Sequence, residues 1–223
     1  MKKYVIIVAG GTGKRLKSDI PKQFIEINGL PVLMHTISRF YETDKSFHIR
    51  IVLPAKQFDT WNKLCEEKKF NIPLEIKAGG ESRFHSVKNG LEDLEPLSIV
   101  GIHDGVRPLV SKEVIEQCYA LAEKYGAVIP VTDIHESIRE LNAGGSRHVE
   151  RKNFKHIQTP QVFQSQLLLE AYRQDYSPTF TDDASVVEAL GYEIHLTEGN
   201  RENIKITDNL DLKIASYLLS IKA

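Results

Sequence analysis

Short apolar runs alternate with amphipathic stretches along most of the chain. Residues 4–9 form a β-branched run that stops at Gly10 and Gly11, the pattern of a buried parallel strand entering a tight loop. From Pro31 the period lengthens: Leu33, Ile37, Phe40 and Tyr41 share one face of a helix with Pro in its first turn. Strands are predicted over 49–53, 74–77 and 98–103, with helices over 58–68 and 86–94, the latter turning Val87 and Leu91 inward. A helix over 112–125 carries Val114, Ile115, Cys118, Leu121 and Ala122 at helical spacing, and a strand over 127–131 follows Gly126. Repeated strand–helix units predict an α/β fold with a mainly parallel sheet covered on both faces.

Residues 132–155 break this rhythm. They are polar and contain Gly144-Gly145 with short flanking runs, which favours a protruding β-hairpin arm over the alternative of a disordered loop. Helices over 166–172 and 183–190, a strand over 193–197 and a last helix over 208–221 complete the pattern, with Leu210, Ile214, Ala215 and Leu218 as the apolar face of that last helix. No repeat, low-complexity tract or linker interrupts the chain, so residues 1–223 are expected to form one domain with an arm at about 132–155.

At 223 residues, 41% hydrophobic and 26% charged, the chain can bury a core without disulfides or a structural metal. The 29 Lys and Arg against 30 Asp and Glu argue against a global basic field for nucleic acid or an acidic membrane. No apolar run reaches membrane-helix length and the start does not read as a signal peptide, so a cytoplasmic location is expected. Cys65 and Cys118, without CxxC spacing, read as buried thiols.

Several groups of residues could carry chemistry. Ala9-Gly10-Gly11-Thr12-Gly13-Lys14-Arg15, with Lys22 shortly after, combines exposed backbone N–H groups with cations and predicts a polyphosphate site; a plain tight turn with solvated lysines is the alternative. The spacing fits neither a Walker A loop nor a dinucleotide fingerprint. His103-Asp104-Gly105-Val106-Arg107-Pro108 places a carboxylate and a guanidinium at the carboxyl end of a strand, where open α/β sheets bind ligands. A lone carboxylate there suits Mg²⁺, unless Asp104 and Arg107 form a surface pair or a cap, while His103 reads as packed or hydrogen-bonded. Gly79-Gly80-Glu81-Ser82-Arg83 is a second glycine turn, and on its own it reads as a strand–helix turn capped by Ser82 or Ser86. Lys205, in a short apolar run, points into a pocket or snorkels at an edge strand. The polar segments 158–161 and 181–185 show no metal spacing, and Asp182 or Asp183 would serve as a helix cap.

Together, AGGTGKRL, PKQF, GGESRFHSV, HDGVRP, QTPQVF, TDDASVVE and EGNRENIKIT, in that order, resemble the 2-C-methyl-D-erythritol 4-phosphate cytidylyltransferases of the non-mevalonate isoprenoid pathway. The resemblance covers nearly the whole chain. It implies a nucleotidyltransferase-type, Rossmann-like three-layer fold and a homodimer joined by the arm. It also implies Mg²⁺ and CTP at the glycine edge, and in-line attack of the methylerythritol phosphate oxygen on the α-phosphorus with loss of pyrophosphate.

By the same resemblance Arg15, Lys22 and Lys205 surround the transferring phosphate, and Asp104 is the metal ligand. Ala9, Gly10, Gly11, Gly80, Glu81, Ser86 and Asp104 bind the nucleotide, with Arg83 supporting their loop. Arg107, Thr159, Thr181 and Lys205 hold the acceptor, together with Ser137 and Arg151 from the second subunit's arm. The arm position is ambiguous: Ser137 matches if three residues are inserted after Pro130-Val131, and Ile134 matches otherwise. Ribitol 5-phosphate cytidylyltransferases share the glycine loop, the PKQF-like lysine and the HDxxRP block, and a catalytically silent nucleotide-binding subunit is a further alternative.

Overall fold

The computed structural model describes residues 1–11 and 20–221. Strands β1 (Lys3–Val8), β4 (His48–Leu53), β5 (Glu75–Ala78) and β6 (Ile99–Asp104) lie parallel in the order β6-β1-β4-β5. Their carboxyl ends therefore share one edge of the sheet, as the apolar runs predict.

The other half of the sheet departs from an all-parallel arrangement. Strand β11 (Gln161–Gln164) inserts antiparallel between β6 and β7 (Ala127–Asp133). Strand β10 (Lys155–Ile157) continues along the same flank of β7, while β12 (His195–Glu198) pairs with its other flank. The segment 161–164 has only Val162 and Phe163 as an apolar signal, yet Gln161, Val162 and Phe163 are all buried because strands flank it on both sides. Another small element is β2 (Glu26–Ile27) paired with β3 (Leu30–Pro31) across Asn28-Gly29, both at positive φ. Asn-Gly is a strong two-residue hairpin signal that the hydrophobic pattern alone passes over.

Alternation within β1 divides the core. Val5 and Ile7 face α1 (Val32–Thr43), α2 (Phe58–Lys68) and α4 (Lys112–Tyr125), whereas Tyr4 and Ile6 face α3 (Arg83–Gly90), α5 (Ser165–Ala171) and α6 (Asp183–Glu188). The result is the expected three layers. Helix α3 starts three residues earlier than its apolar pattern suggests, because Ser82 accepts the His85 N–H as an N-cap. Helix α7 (Asn209–Ser220) is turned differently from its predicted face: Ala215 and Leu219 are buried, whereas Leu210 is 64% exposed and Ile214 39% exposed. Its phase follows from the Asp208–Asp211 capping box and from packing against Ile27, Val32 and Ile206.

The arm is a hairpin of β8 (Arg139–Asn142) and β9 (Gly145–His148), and every residue of both strands is exposed. Among the described residues no helix is long and apolar enough to cross a membrane. Cys118 is buried and Cys65 half-buried, and burial pushes their thiols up to about 12 and about 11.

Candidate active site

A cleft of about 560 Å³ opens at the shared carboxyl edge of β1, β4, β5 and β6. Three strand-end turns build it. Ala9 donates its N–H to Val52 O (2.9 Å), Gly79 donates to Leu53 O (2.8 Å), and Gly105 donates to Val8 O (2.9 Å), so each turn is tied to its neighbouring strand. A Cβ on Gly105 would sit 2.8 Å from Ala9 Cβ, which is how the His-Asp-Gly turn comes to lie against the first glycine turn.

The second glycine turn is shaped by Ser86, whose Oγ accepts the Gly80 N–H at 3.1 Å and donates to Ser82 O at 2.9 Å. Lys22 enters from a 3-10 turn at Lys22–Phe24. Its Cε lies 2.9 Å from the place a Gly11 Cβ would occupy, so the absent side chain at Gly11 makes room for this lysine. The blocks AGG and PKQF therefore meet in space.

Asp104 is the electrostatic centre. Its Oδ2 lies 3.0 Å from Lys205 Nζ and 3.2 Å from Arg107 Nε, and its Oδ1 lies 3.9 Å from Arg83 Nε. Burial alone would raise the pKa of this carboxyl, but the charges of Arg83, Lys205 and Arg107 outweigh burial and hold it well below the usual carboxylate range. Arg107 also donates to Asn203 O (2.7 Å), which ties the HDGVRP turn to the segment bearing Lys205.

Behind Asp104 lies His103. The Arg107 carbonyl can only accept, so His103 Nε2 carries the hydrogen (3.1 Å) and Nδ1 takes the hydroxyl hydrogen of Thr159 (3.0 Å). Thr159 Oγ1 in turn accepts the Asp104 N–H at 3.1 Å. Burial pushes the imidazole down to about 4. His103 is thus packed and hydrogen-bonded, as its lack of a metal-spaced companion suggests.

Of the residues singled out in the sequence, Ala9, Gly10, Gly11, Lys22, Gly80, Glu81, Ser86, Asp104 and Lys205 line the cleft together. Arg107 and Thr159 back Asp104 from behind. Thr181 is exposed just ahead of the α6 cap and is not part of the cleft lining. Ser137 and Arg151 share a separate depression on the arm with Ile138 and His148. Arg151 also donates to the carbonyl of His135, which lies between Ile134 and Ser137 in the chain. Arg15 lies outside the described residues.

Sequence reasoning missed Lys56 and Pro54 at the end of β4, although the carboxyl-edge rule points to that strand end as much as to its neighbours. It also missed the partner of Arg83. Four cations (Lys22, Lys56, Arg83 and Lys205) and two carboxylates (Glu81 and Asp104) line the described cleft. Backbone donors beside a surplus of cations suit a polyphosphate, and the narrow glycine turns suit a flat base.

The comparisons with known proteins agree with this chemistry. The family model for 2-C-methyl-D-erythritol 4-phosphate cytidylyltransferase matches residues 3–221. A protein of that name from Bacteroides thetaiotaomicron is 56% identical, over 98% of this chain and 100% of its own length. One from Porphyromonas gingivalis is 47% identical, over 98% of each. Among solved structures, 4-diphosphocytidyl-2C-methyl-D-erythritol synthase from Anaerococcus prevotii superposes with a TM-score of 0.83 at 27% identity, covering 98% of this chain and 96% of that one. The Thermus thermophilus 2-C-methyl-D-erythritol 4-phosphate cytidylyltransferase gives a TM-score of 0.79 at 28% identity, covering 99% and 100%.

Proposed function

Because the chain belongs to the 2-C-methyl-D-erythritol 4-phosphate cytidylyltransferase family, we propose that it transfers the cytidylyl group of CTP to 2-C-methyl-D-erythritol 4-phosphate. The products are 4-diphosphocytidyl-2-C-methyl-D-erythritol and pyrophosphate. The observation that carries this reading is the convergence of Lys22, Lys205 and Asp104 with two glycine turns in one cleft.

An oxygen of the acceptor phosphate attacks the α-phosphorus, and the bond to the bridging oxygen of the departing pyrophosphate breaks in line. Such a step calls for alignment and charge stabilisation rather than a covalent enzyme intermediate. Backbone groups of Ala9, Gly10, Gly80 and Glu81 meet the base edge, with Ser86 holding the Gly80 turn in shape. Gly11 lets Lys22 approach the phosphates and Lys205 adds to the cationic surround; Arg15, outside the described residues, is assigned to the same phosphates by the family resemblance alone.

Asp104 suits Mg²⁺. Its carboxylate is held ionised at the cleft, and Mg²⁺ takes one or two carboxylates and fills its remaining positions with phosphates and water. Among the described residues no cluster of three or more His, Cys, Asp or Glu could hold a metal without substrate. The bound cation supplies neutralisation of the phosphate charge.

The acceptor site draws on Arg107, Thr159, Thr181 and Lys205, and on Ser137 and Arg151 of a second subunit. The arm supports a homodimer: a lone two-stranded hairpin is marginal in water, and this one has both strands exposed. The whole chain is read as one cytidylyltransferase domain with this arm.

The test is pyrophosphate release from CTP and Mg²⁺ with methylerythritol 4-phosphate and ribitol 5-phosphate offered separately. A much higher kcat/KM for the former is expected. Preference for ribitol phosphate would reassign the acceptor, and CTP binding without turnover on either would indicate a silent subunit.

A further inference from the structure

Asp183 is fully buried, yet it is not the residue that caps its own helix. Asp182 performs that task, accepting the Ser185 N–H at 2.9 Å within a capping box. The Asp183 carboxylate faces inward, where Oδ1 accepts from Arg83 Nη1 (3.0 Å) and from the Tyr172 hydroxyl (2.6 Å), and Oδ2 accepts from Arg83 Nη2 (2.6 Å). The acid is itself held in place. Gln161 Oε1 accepts the N–H groups of both Asp183 and Ala184 at 2.9 Å, and the Tyr172 ring stacks on Phe84, next to Arg83 in the chain, at 4.8 Å between centroids.

Arg83 opens α3 on the cleft side, with Asp104 within reach. Both its terminal nitrogens are engaged by Asp183, so only Nε faces Asp104, at 3.9 Å from Oδ1. Arg107 and Lys205 both approach Oδ2. A guanidinium this close to a carboxylate favours a two-pronged pair, and such a pair on Asp104 would occupy the oxygen that neither of the other two cations takes.

We propose that Asp183 is a positioning residue that withholds the Arg83 fork from Asp104 and so keeps Asp104 Oδ1 open to a divalent cation carried by the nucleotide. The proposal rests on the nucleotidyl-transfer reading above and deepens it. It gives the TDDASVVE segment a task that helix capping leaves unexplained, and it joins that segment to the nucleotide loop across 100 positions.

The test uses the full chain with CTP, following Mn²⁺ binding by electron paramagnetic resonance and recording thermal unfolding beside it. Asp183→Asn frees the fork, and the Mn²⁺ dissociation constant should rise about tenfold or more. The double variant Arg83→Gln with Asp183→Asn keeps a neutral hydrogen-bonded pair but has no guanidinium to collapse onto Asp104; Arg83 also lines the cleft, so each variant is measured at its own saturating CTP, and there the Mn²⁺ affinity of the double variant should return to within about threefold of wild type. Unchanged affinity in Asp183→Asn overturns the proposal, as does a double variant as weak as the single one. If Asp183→Asn fails to fold, Tyr172→Phe, which removes one bond to the same carboxylate, should weaken Mn²⁺ binding about two- to threefold, and no change there overturns it equally. A wild-type protein that binds no CTP with Mn²⁺ would instead defeat the underlying nucleotidyl-transfer reading.

Discussion

Lys205 Nζ lies 3.0 Å from Asp104 Oδ2, an ion pair that joins the last polar segment of the chain to the carboxyl end of a central strand. In the absence of substrate the lysine and the carboxylate neutralise each other, so the cleft is charged without carrying an isolated buried ion. In the proposed reaction, incoming phosphates would offer Lys205 a stronger acceptor and leave Asp104 to a cation.

Lys22 lies over Gly11 in the cleft and Lys205 pairs with Asp104, and both are assigned to charge that grows during transfer. Lys22→Ala and Lys205→Ala should each lower kcat by about 10²–10³, the usual effect of removing one preorganised charge stabiliser, with little change in Tm. Steady-state kinetics beside thermal unfolding check this. A wild-type kcat in Lys22→Ala would remove that lysine from the chemistry.

Two glycines should fail differently. A Cβ at Gly80 would lie 2.4 Å from His85 Cβ and 2.9 Å from the His85 carbonyl carbon, so the turn itself must move. Gly80→Ala should raise the KM for CTP by about tenfold and lower Tm. At Gly11 the obstacle is the flexible end of Lys22, so Gly11→Ala should displace that lysine and lower kcat while leaving Tm nearly unchanged. Equal effects on KM and Tm from both variants would contradict this division.

His103 should make stability depend on pH. Burial lowers its folded pKa from 6.5 to about 4, so between these values the unfolded chain binds more protons than the folded one. This contribution is complete above about pH 6.5 and is lost as pH falls toward 4. The slope reaches about 1.4 kcal/mol per pH unit and totals on the order of 3 kcal/mol. Denaturant unfolding of the metal-free protein across this window should show the slope, and His103→Gln should flatten it. An unaltered slope in the variant would assign the pH dependence to other groups.

The arm residues call for a complementation experiment. On the proposed homodimer, the Arg151→Ala and Lys22→Ala proteins should each be nearly inactive, since one would lack the arm's contribution and the other the cleft's. After verified subunit exchange, the mixed dimer contains one intact composite site, and activity should recover toward half of wild type per dimer. No recovery would return Arg151 to a role within its own subunit.

How much of this was legible in the sequence varies with the range of the interaction involved. Helices 58–68 and 112–125 were readable to the residue because their periods and end signals are local. The start of α3 was misplaced by three residues because its first turn, Arg83-Phe84-His85, is set by the Ser82 cap rather than by apolar spacing. The face of α7 was misjudged because Leu210, Ile214 and Leu218 have a helical period whichever way the helix is turned. Only the surface it meets decides which side is buried.

By itself the sequence determined the strand–helix alternation, the glycine turns at strand ends and the cations following them, because backbone preference and hydrophobic period act over a few residues. The tertiary structure alone decided that β11 runs antiparallel between β6 and β7, that Arg83 spends its fork on an acid 100 positions away, and that the Thr159 hydroxyl serves His103 and Asp104. The physical reason is common to all three. Strand placement, a buried carboxylate's choice of partner and the direction of a hydroxyl hydrogen are settled by which distant groups are desolvated together, and that is a property of packing rather than of local spacing.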